Sequence, residues 1–336
     1  MTKLDALAEA IGHEDAVKPP NHHDAYFRDV MTISANAASQ LRAVLPKEIV
    51  TQLDWRTLRL QSGSFISDDL RSRYTDTLYS AKLDGRKAFI YLLIEHQSTI
   101  DKMMPLRMLQ YVVDIWSRYA EEHPKATKLP AIIPLVVHNN NRKERWTKST
   151  ELTDLIDLDQ ETLEAFRDYL PHFRFLLDDV AAIDPETLRA RDVRPAVLLM
   201  LMLQRSVLSA PGLGPWLTQL LGGLLGGLSP RELRALVTYL LRVGEMSTKD
   251  LEPIFEQLDP QAKEVFMTTA EQLRAEGAAK ARAEECAENL IQVMTAKFGV
   301  VSQRTIAVVN EAGMSQLKAW FGRAMTANSV EDVFAH

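Results

Sequence analysis

The chain has 336 residues, 46% of them hydrophobic and 25% charged, which is the composition of a globular protein. No run of about 18 apolar residues is free of charges, so we expect no transmembrane helix, and the early acidic residues argue against a signal peptide. The net charge of −6 argues against an extended basic groove for nucleic acid, and the single cysteine, Cys286, excludes an internal disulfide and favours a cytoplasmic location.

The first half of the chain is predicted to alternate between helices and strands. Residues 1–21 read as a flexible leader that ends at Pro19-Pro20, and Asp24 to Leu45 reads as a single helix that Pro46 ends. In chain order, the elements that follow are predicted to be strands at 55–66, 74–83 and 88–95, a helix at 105–122, and strands at 131–137 and 173–180. Asp84-Gly85 is typical of a hairpin turn between the second and third strands. A hairpin followed by a helical crossover predicts a mixed sheet with helices packed against it.

The second half of the chain is predicted to be all helical. We therefore divide the chain into the leader 1–21, an α/β domain at 22–183 and a helical region at 184–336. A long helix is predicted from Pro260 to about Lys297, and its middle, residues 271–288, is highly charged with little apolar face. Such a helix is typical of an exposed or self-associating stalk, which leads to the hypothesis of a homodimer formed through the C-terminal helices.

Asp76, Glu95 and Gln97 form the pattern that points most clearly to chemistry. Asp76 lies on the second predicted strand, and Glu95 and Gln97 end the third, two residues apart and so on one face. Strands joined by a hairpin lie about 4.8 Å apart, so the two carboxylates can bind one hard cation such as Mg²⁺. Such an ion assists phosphodiester cleavage, and Gln97 can orient the attacking water. Alternatively, Asp76 is a solvated or turn-capping residue, whereas Glu95 ends an apolar run where a carboxylate needs a partner or a metal.

Other polar residues near this pattern are weaker candidates. Arg73 belongs to a mildly basic window, and Arg107 and Gln110 lie three apart on one helix face, so these residues either contact phosphate or are simply solvated. The run His22-His23-Asp24 is a candidate metal cluster, but N-capping of the first helix by Asp24 is the favoured interpretation, with an auxiliary role at the site left open. No Walker-type loop is present, so no nucleotide cofactor is expected.

A series of sequence blocks over residues 22–146 identifies a family. The blocks are His23–Phe27, Leu45-Pro46, Ser64–Arg71, Tyr74–Tyr79, Tyr91–Thr99, Pro105–Tyr111 and Leu129–His138. The most specific block contains Ile94-Glu95-His96-Gln97-Ser98-Thr99. Through these blocks the chain resembles the Rpn family of recombination-promoting nucleases, also labelled YhgA-like transposases, within the PD-(D/E)XK nuclease superfamily. The family frequently ends its last strand in Tyr-His-Gly, where this chain has Val137-His138-Asn139.

The resemblance implies both a fold and an activity. The implied fold is an αβββαβ PD-(D/E)XK core, a mixed sheet flanked by helices, followed by an all-α C-terminal region. The implied activity is Mg²⁺-dependent cleavage of double-stranded DNA with little sequence specificity, which promotes recombination, with Mn²⁺ or Ca²⁺ as alternative cofactors. Asp76 matches the family's catalytic aspartate, Glu95 the acid of its (D/E)-x-K motif, and Gln97 the third position of that motif. Asp76 and Glu95 are then the implied metal ligands.

The alternative from a different functional class is a catalytically silent nuclease-fold adaptor, or a transposase-related protein, that acts through its helical C-terminal half. In that hypothesis the nuclease fold is degenerate and the helical half binds a protein partner. The intact set of Asp76, Glu95 and Gln97 argues against degeneration, while the acidic net charge favours it mildly. Loss of activity on Asp76→Ala with a preserved fold is expected of a nuclease and not of an adaptor.

Overall fold

The structure is a computed structural model that describes residues 21–61, 77–83, 89–206, 213–244 and 246–335, with residues 89–97 described through their backbone alone. The predicted leader falls outside these residues except for Asn21, and Arg73 and Asp76 also lie outside them. Glu95 and Gln97 are described as strand backbone.

Helices and strands alternate in the first half of the described chain, and helices follow. The helices are α1 (His22–Met31), α2 (Ser34–Val44), α3 (Lys47–Gln52), α4 (Met104–Glu122), α5 (Gln160–Phe166), α6 (Pro185–Arg189), α7 (Pro195–Gln204), α8 (Leu213–Gly222), α9 (Pro230–Val243), α10 (Thr248–Leu258), α11 (Pro260–Phe298), α12 (Gln303–Glu311), α13 (Met314–Ala324) and α14 (Val330–Phe334). The strands are β1 (Leu53–Leu60), β2 (Thr77–Leu83), β3 (Phe89–Gln97), β4 (Ala131–His138) and β5 (Leu176–Asp179). An α/β first half followed by an all-helical second half, as predicted, is therefore confirmed.

The strands form one mixed sheet in the order β1-β2-β3-β4-β5. The pairs β1–β2 and β2–β3 are antiparallel, whereas β3–β4 and β4–β5 are parallel. Parallel neighbours cannot be joined by a tight turn, and the connection between β3 and β4 contains the helix α4. The mixed sheet with a helical crossover, predicted from the order of the elements, is confirmed.

The helix predicted from Asp24 to Leu45 is instead two helices, α1 and α2, which are separated at Thr32 and Ile33. Both of these residues are β-branched, which weakens a helix, and the backbone of Ile33 is extended. The hydroxyl of Tyr79 on β2 donates a hydrogen bond to the carbonyl of Met31 at the end of α1. A donor from the sheet thus satisfies a carbonyl that a continuous helix would use internally, so a tertiary contact stabilises the break.

Helices cover both faces of the sheet. The side chains that pack with α1, α2 and the helices of the second half include Tyr79, Ala81, Leu135 and Val137. The side chains that pack with α4 on the other face include Leu78 and Val136. β4 is therefore a central strand that is buried on both faces. The same burial is predicted for β3, whose side chains lie outside the description.

Helix α7 lies inside the core of the larger of two compact units, the one formed by Asn21 to Met267. All of its residues from Ala196 to Gln204 are buried, so the helix is covered around its whole circumference. None of the described helices is long and apolar enough to cross a membrane. Helix α7 packs in the same core as α1, α2 and the sheet, and thereby connects the helical half to the sheet.

The chain divides into two compact units, one from Asn21 to Met267 and the other including residues 268–335. The larger unit holds one core, to which α1, α2, the sheet and α7 to α10 contribute. The smaller unit has a separate core, built by the C-terminal part of α11 with α12 to α14. The boundary placed at 183/184 from the sequence lies inside the larger unit, because the helices that follow it share the core of the sheet.

The long helix predicted at 260–297 is confirmed as α11, which has 39 residues. Most side chains of its charged middle, residues 271–288, are exposed, as expected for a stretch with little apolar face. The homodimer proposed to form through this region stays a prediction.

Candidate active site

The strands that carry the predicted acids are neighbours. β2 pairs with β3 in an antiparallel register in which Thr77 lies opposite Ile94. Asp76 directly precedes Thr77 in the sequence, and Glu95 directly follows Ile94. The adjacency of these two strands, on which the predicted metal site depends, is therefore confirmed.

The carboxylates themselves remain untested. Asp76 lies outside the described residues, and the side chains of Glu95 and Gln97 are not described. In the described part of the chain, no group of three or more His, Cys, Asp or Glu side chains is placed to hold a metal ion. The Mg²⁺ site at Asp76 and Glu95 stays a prediction.

The carboxyl ends of β3 and β4 lie side by side, because Gln97 pairs with His138 in the parallel register. Polar residues follow both strands: Ser98-Thr99 follow β3, and Asn139-Asn140-Asn141 follow β4. In open α/β sheets, ligands commonly bind outside the carboxyl ends of parallel strands. This edge of the sheet is therefore the candidate site.

A cleft of about 240 Å³ opens at this edge. Residues of α1, of the two strand ends and of α7 line it: His23, Ser98, Thr99, Asn139, Asn140, Asn141, Arg142, Glu144 and Gln204. Most of these side chains are uncharged hydrogen-bonding groups, and the two charged residues have opposite signs. The cleft is therefore suited to a polar ligand.

The loop after β4 is held by bonds between its side chains and its backbone. The buried ring of His138 donates from Nε2 to the Glu144 carbonyl at 2.8 Å, and the ring lies edge-on to Trp146. The Asn140 side chain donates to the same carbonyl and accepts from the Glu144 amide, both at 3.0 Å. One side of the cleft is thus built from a loop that its own polar residues stabilise.

Helices of the second half of the chain complete the cleft. The Asn139 side chain donates to the Leu201 carbonyl of α7 at 2.9 Å, and the Gln204 side chain donates to the His23 carbonyl at 2.7 Å. The hydroxyl of Tyr239 on α9 lies 2.9 Å from Nδ1 of His23. These bonds join residues 62, 181 and 216 positions apart in the chain. The helical region is therefore part of the candidate site.

Asn139 is not among the site residues predicted from the sequence, and neither are Gln204 and Tyr239. A local signal existed for Asn139, since a run of asparagines directly follows an apolar strand. Gln204 carried a weaker signal, as the polar last residue of an otherwise apolar helix. Tyr239 carried none, because a tyrosine in an amphipathic helix is commonly a core residue.

Two amide oxygens of the cleft lining have no hydrogen-bond partner in the described part of the chain. Asn139 Oδ1 and Gln204 Oε1 are buried and lack a partner among the described residues. The nitrogen of each amide faces a carbonyl, which can only accept, so the orientation of both amides is determined. An unpaired buried acceptor costs about 1–3 kcal/mol, so both oxygens call for a donor such as water.

Asp24 does not cap α1, so the capping prediction is wrong. The helix begins at His22, and the side chain of Asn21 accepts the capping hydrogen bond from the His23 amide at 3.1 Å. Asparagine is as good a cap as aspartate, and it occurs earlier in the chain. Asp24 lies in the first turn, where its charge favours the positive end of the helix dipole. It is absent from the cleft lining, and its auxiliary role stays a prediction.

The three predicted phosphate contacts have different surroundings. Arg107 is only 8% exposed, and its guanidinium forms an ion pair with Asp101 at 2.9 Å. Gln110, one turn later on α4, is exposed. Arg73 lies outside the described residues. Arg107 therefore stabilises the start of α4, and the DNA contacts of all three residues stay predictions.

The family model described as "Putative transposase, YhgA-like" matches residues 21–229. The recombination-promoting nuclease RpnA of Escherichia coli K12 is 32% identical over 256 residues, which cover 76% of this chain and 84% of that protein. The inactive recombination-promoting nuclease-like protein RpnE of the same strain is 30% identical over 260 residues, or 76% of this chain and 82% of that protein. No solved structure matches the chain.

The part of the chain that the family model matches contains every residue that lines the cleft. It runs from the N-cap of α1 past the end of α7, and it ends just before α9. A third relative, the recombination-promoting nuclease RpnC of Escherichia coli K12, is 37% identical over 117 residues, which are 34% of this chain and 38% of that protein. The family match therefore extends well beyond the sheet, into the helical half of the larger unit.

Proposed function

This chain belongs to the YhgA-like transposase family, and from that premise we propose that it is a metal-dependent DNA endonuclease. In this proposal it hydrolyses phosphodiester bonds of double-stranded DNA with little sequence specificity and thereby promotes recombination. Support comes from two relatives that are named as recombination-promoting nucleases. One relative of similar identity is described as inactive, so the activity has to be measured.

The observation that carries the proposal is the register of β2 with β3. Thr77 lies opposite Ile94 on the antiparallel neighbour; Asp76 precedes Thr77 by one residue and Glu95 follows Ile94 by one residue, so continuing the same register would place Asp76 opposite Glu95. Directly opposite residues of an antiparallel pair have Cβ atoms about 5 Å apart on one face, a distance that lets two carboxylates share a cation. The residues that follow β3 border the polar cleft. This arrangement supports a catalytic centre at the end of β3 with the cleft beside it.

Asp76 and Glu95 would hold the metal ion in this proposal. Carboxylate oxygens suit a hard cation such as Mg²⁺, and also Mn²⁺ or Ca²⁺. The hydroxyl of Thr77, next to Asp76, is buried without a partner among the described residues, so this end of β2 has an unused polar atom, which fits a polar ligand. When bound, the ion neutralises charge on the scissile phosphate and lowers the pKa of the attacking water. Gln97 would orient that water or a phosphate oxygen without adding positive charge.

The proposed DNA contacts outside the metal centre are Arg73, Arg107 and Gln110, with Asp24 as an auxiliary residue. Gln110 is exposed and is available to a DNA backbone. Arg107 would have to exchange its ion pair with Asp101 for a phosphate. A bound phosphate at Arg107 would therefore be accompanied by a rearrangement at the start of α4.

The proposed fold of the first half is the PD-(D/E)XK nuclease core. The described elements follow the order helix, three strands, helix and strand, which is compatible with an αβββαβ core. The helix α4 and the parallel pair β3–β4 supply the crossover of that order. This proposal stands beside the functional one, since a fold alone does not determine an activity.

A catalytically silent adaptor is the second candidate, and one comparison favours it. The inactive relative is 30% identical to this chain and the nuclease RpnA is 32% identical, so overall identity does not separate the two functions. The net charge of −6 also limits the electrostatic attraction to DNA. An adaptor would act through its helical half and would tolerate changes at Asp76.

Nicking of supercoiled plasmid is the experiment that tests the proposal. Wild type, Asp76→Ala and Asp168→Ala are assayed with Mg²⁺, Mn²⁺, Ca²⁺ or excess EDTA; Asp168 is an exposed aspartate outside the candidate site and serves as the matched control. We expect wild type and Asp168→Ala to nick the plasmid with at least one of the metal ions, and EDTA to stop the nicking. The nicking rate of Asp76→Ala should be more than about 100-fold lower than that of wild type. Even residues that only support metal ligands contribute roughly 10- to 100-fold.

Two results would contradict the endonuclease. If folded wild type cuts plasmid in none of the metals, the adaptor becomes the leading function and a search for its partner follows. If Asp76→Ala cuts as fast as wild type with an unchanged circular dichroism spectrum, the catalytic centre lies elsewhere. Cutting that survives EDTA would contradict the metal dependence alone.

A further inference from the structure

His23 lines the cleft from the first turn of α1, where two helices of the second half of the chain hold it. Its carbonyl accepts a hydrogen bond from the Gln204 side chain at 2.7 Å, which fixes the backbone. Its Nδ1 lies 2.9 Å from the hydroxyl of Tyr239, which orients the ring. Both the position and the rotation of this imidazole are therefore determined by residues that lie 181 and 216 positions away in the sequence.

The ring of Tyr239 is itself held firmly. It stacks on the ring of Tyr26 with centroids 4.5 Å apart, and it lies edge-on to His23 at 5.6 Å. Tyr239 is 2% exposed, and burial raises the pKa of its hydroxyl, so the hydroxyl keeps its proton. When that hydroxyl donates to Nδ1, the neutral imidazole carries its hydrogen on Nε2. A Tyr239 hydroxyl that donates to Nδ1 therefore corresponds to the tautomer in which Nε2 is a donor.

The surroundings of His23 favour an anionic ligand. His23 lies in the first turn of α1, a helix of ten residues, so the positive end of the helix dipole is close. Ser98, Thr99 and Arg142, whose side chains carry hydrogen-bond donors, line the same cleft together with one acidic residue, Glu144. A phosphodiester accepts hydrogen bonds and carries one negative charge, which matches these donors.

The unpaired amide oxygens are an independent sign that the lining of the cleft calls for a further donor, such as water held beside a ligand. Asn139 and Gln204 are 1% and 2% exposed, and each carries a buried oxygen without a partner among the described residues. Those oxygens would accept hydrogen bonds from water that accompanies a bound phosphate. Uncompensated buried acceptors of this kind are rare in folded proteins and require an explanation.

We propose that His23 binds the DNA backbone by donating a hydrogen bond from Nε2 to a phosphate oxygen in the cleft, and that Tyr239 is its positioning residue. The inference rests on the proposed function, because it assigns the DNA contact beside the proposed catalytic centre. It also assigns a role to the helical half, which supplies both residues that orient His23. No covalent step involves His23; its contribution is to affinity and alignment of the strand.

The first test measures DNA affinity without cleavage. Fluorescence anisotropy of a labelled duplex in EDTA is compared for wild type, His23→Phe and His23→Gln, with His172→Phe as the control at an exposed histidine. Phenylalanine keeps the ring but lacks the nitrogens, so we expect the Kd to rise roughly 5- to 20-fold. Glutamine places an amide nitrogen near the position of Nε2, so His23→Gln should retain most of the affinity, as should the control.

The second test measures the tautomer of His23 directly. In ¹⁵N-histidine-labelled wild type, we expect the resonances that His23→Gln removes to report the Nε2–H form. Tyr239→Phe should shift these resonances toward a mixture of tautomers and raise the Kd for DNA about 2- to 5-fold. The melting temperature of the larger unit should change by no more than a few degrees. Tyr169→Phe, at a tyrosine that is 87% exposed, is the matched control and should change neither quantity.

The outcomes separate this inference from the proposed function. Unchanged affinity in folded His23→Phe, or wild type that binds no duplex, overturns the phosphate contact. A tautomer that is the same in Tyr239→Phe overturns the positioning role. If His23→Phe weakens duplex binding but wild type never nicks the plasmid, the endonuclease proposal fails and the contact at His23 stands. If wild type nicks the plasmid but His23→Phe binds the duplex with full affinity, the endonuclease proposal stands and the contact at His23 fails.

Discussion

Glu232 of α9 is a buried carboxylate, 3% exposed, that links the helical region to α2. Its Oε1 accepts a hydrogen bond from the Asn36 side chain at 2.8 Å. Its Oε2 accepts from the backbone amide and from the hydroxyl of Ser229, each at 2.7 Å. Arg194 donates to the oxygen of the Asn36 amide at 2.8 Å, which fixes the orientation of that amide. Both carboxylate oxygens therefore have to act as acceptors.

Replacing this carboxylate with an amide is expected to destabilise the protein. In Glu232→Gln one acceptor becomes an NH₂ group that faces a donor, so we predict a loss of about 1–3 kcal/mol in the free energy of unfolding at neutral pH. Urea unfolding followed by circular dichroism measures this loss. Glu161→Gln, at an exposed position on α5, is the matched control and should stay within about 0.5 kcal/mol of wild type. Equal stability of the two variants would contradict the role of the network.

The same carboxylate predicts a loss of stability in acid. Burial raises the pKa of Glu232, but the hydrogen bonds from Ser229 and Asn36 and the charge of Arg194 outweigh it, so the pKa is lowered from the ordinary 4.5. A carboxyl with a lowered pKa stabilises the folded state above its unfolded pKa, and that stabilisation is lost as the pH falls through the folded pKa. The stability gap between wild type and Glu232→Gln should therefore narrow below about pH 4.5. A gap that stays constant from neutral pH into acid would refute this assignment.

Among the elements, the short turn Leu225–Gly227 packs closely against the first residue of α7. A Cβ atom added at Gly227 would lie 2.6 Å from Cγ of Pro195, whereas one added at Gly226 would meet nothing within 4 Å. The proline ring is rigid, and it begins a helix whose following residues are all buried. The contact at Gly227 therefore cannot be relieved by a small side-chain movement.

These two neighbouring glycines give a matched pair of variants. We expect Gly227→Ala to lower the free energy of unfolding by roughly 1–3 kcal/mol, because the added methyl group overlaps a rigid neighbour. Gly226→Ala should leave it unchanged or raise it by up to about 1 kcal/mol, because alanine restricts the unfolded chain. Thermal unfolding of both variants at one protein concentration measures the difference. Equal stabilities would show that α7 moves freely relative to this turn.

For the whole molecule, the long helix α11 contributes to two separate cores. Its first part packs in the core of the larger unit, and its C-terminal part packs in the core of the smaller unit. Between them the charged residues 271–288 are mostly exposed. An extended helix with little apolar face is either solvated or covered by a partner, and the homodimer hypothesis assigns that partner as a second copy of the chain.

Sedimentation velocity tests this hypothesis. We expect the full chain to sediment as a dimer, and a chain that ends at Arg274 to sediment as a monomer. The shortened chain keeps the residues of α11 that pack in the core of the larger unit, so that unit should still fold. A cooperative thermal unfolding transition of the shortened chain checks this. The same oligomeric state for both folded chains would rule out the C-terminal half as the dimer interface.

Elements with a clear local pattern were predicted well. The helix predicted at 105–122 is α4 at Met104–Glu122, and the strand predicted at 131–137 is β4 at Ala131–His138. Helical and alternating periodicities, and the proline that begins or precedes an element, are local signals that a single stretch of sequence carries. The adjacency of β2 and β3 follows from equally local information, since a hairpin turn joins neighbours.

Elements whose limits depend on distant partners were predicted less well. The helix predicted at 24–45 breaks at Thr32 and Ile33, where a tyrosine from the sheet binds the last carbonyl of α1. The predicted cap Asp24 is replaced by Asn21, because two suitable capping residues stood close together in the sequence. A pattern of side chains does not reveal which distant donor will satisfy a carbonyl at a helix end.

The sequence by itself determined the order of the elements, the mixed sheet and the family, because periodicity, turn residues and motif spacing are encoded within short stretches of the chain. The tertiary structure alone decided that the helical half shares the core of the sheet and contributes to the cleft. Gln204 and Tyr239 meet His23 across 181 and 216 residues. Such contacts arise from the packing of whole helices and from the need of buried polar groups for partners, and neither is visible in a local pattern.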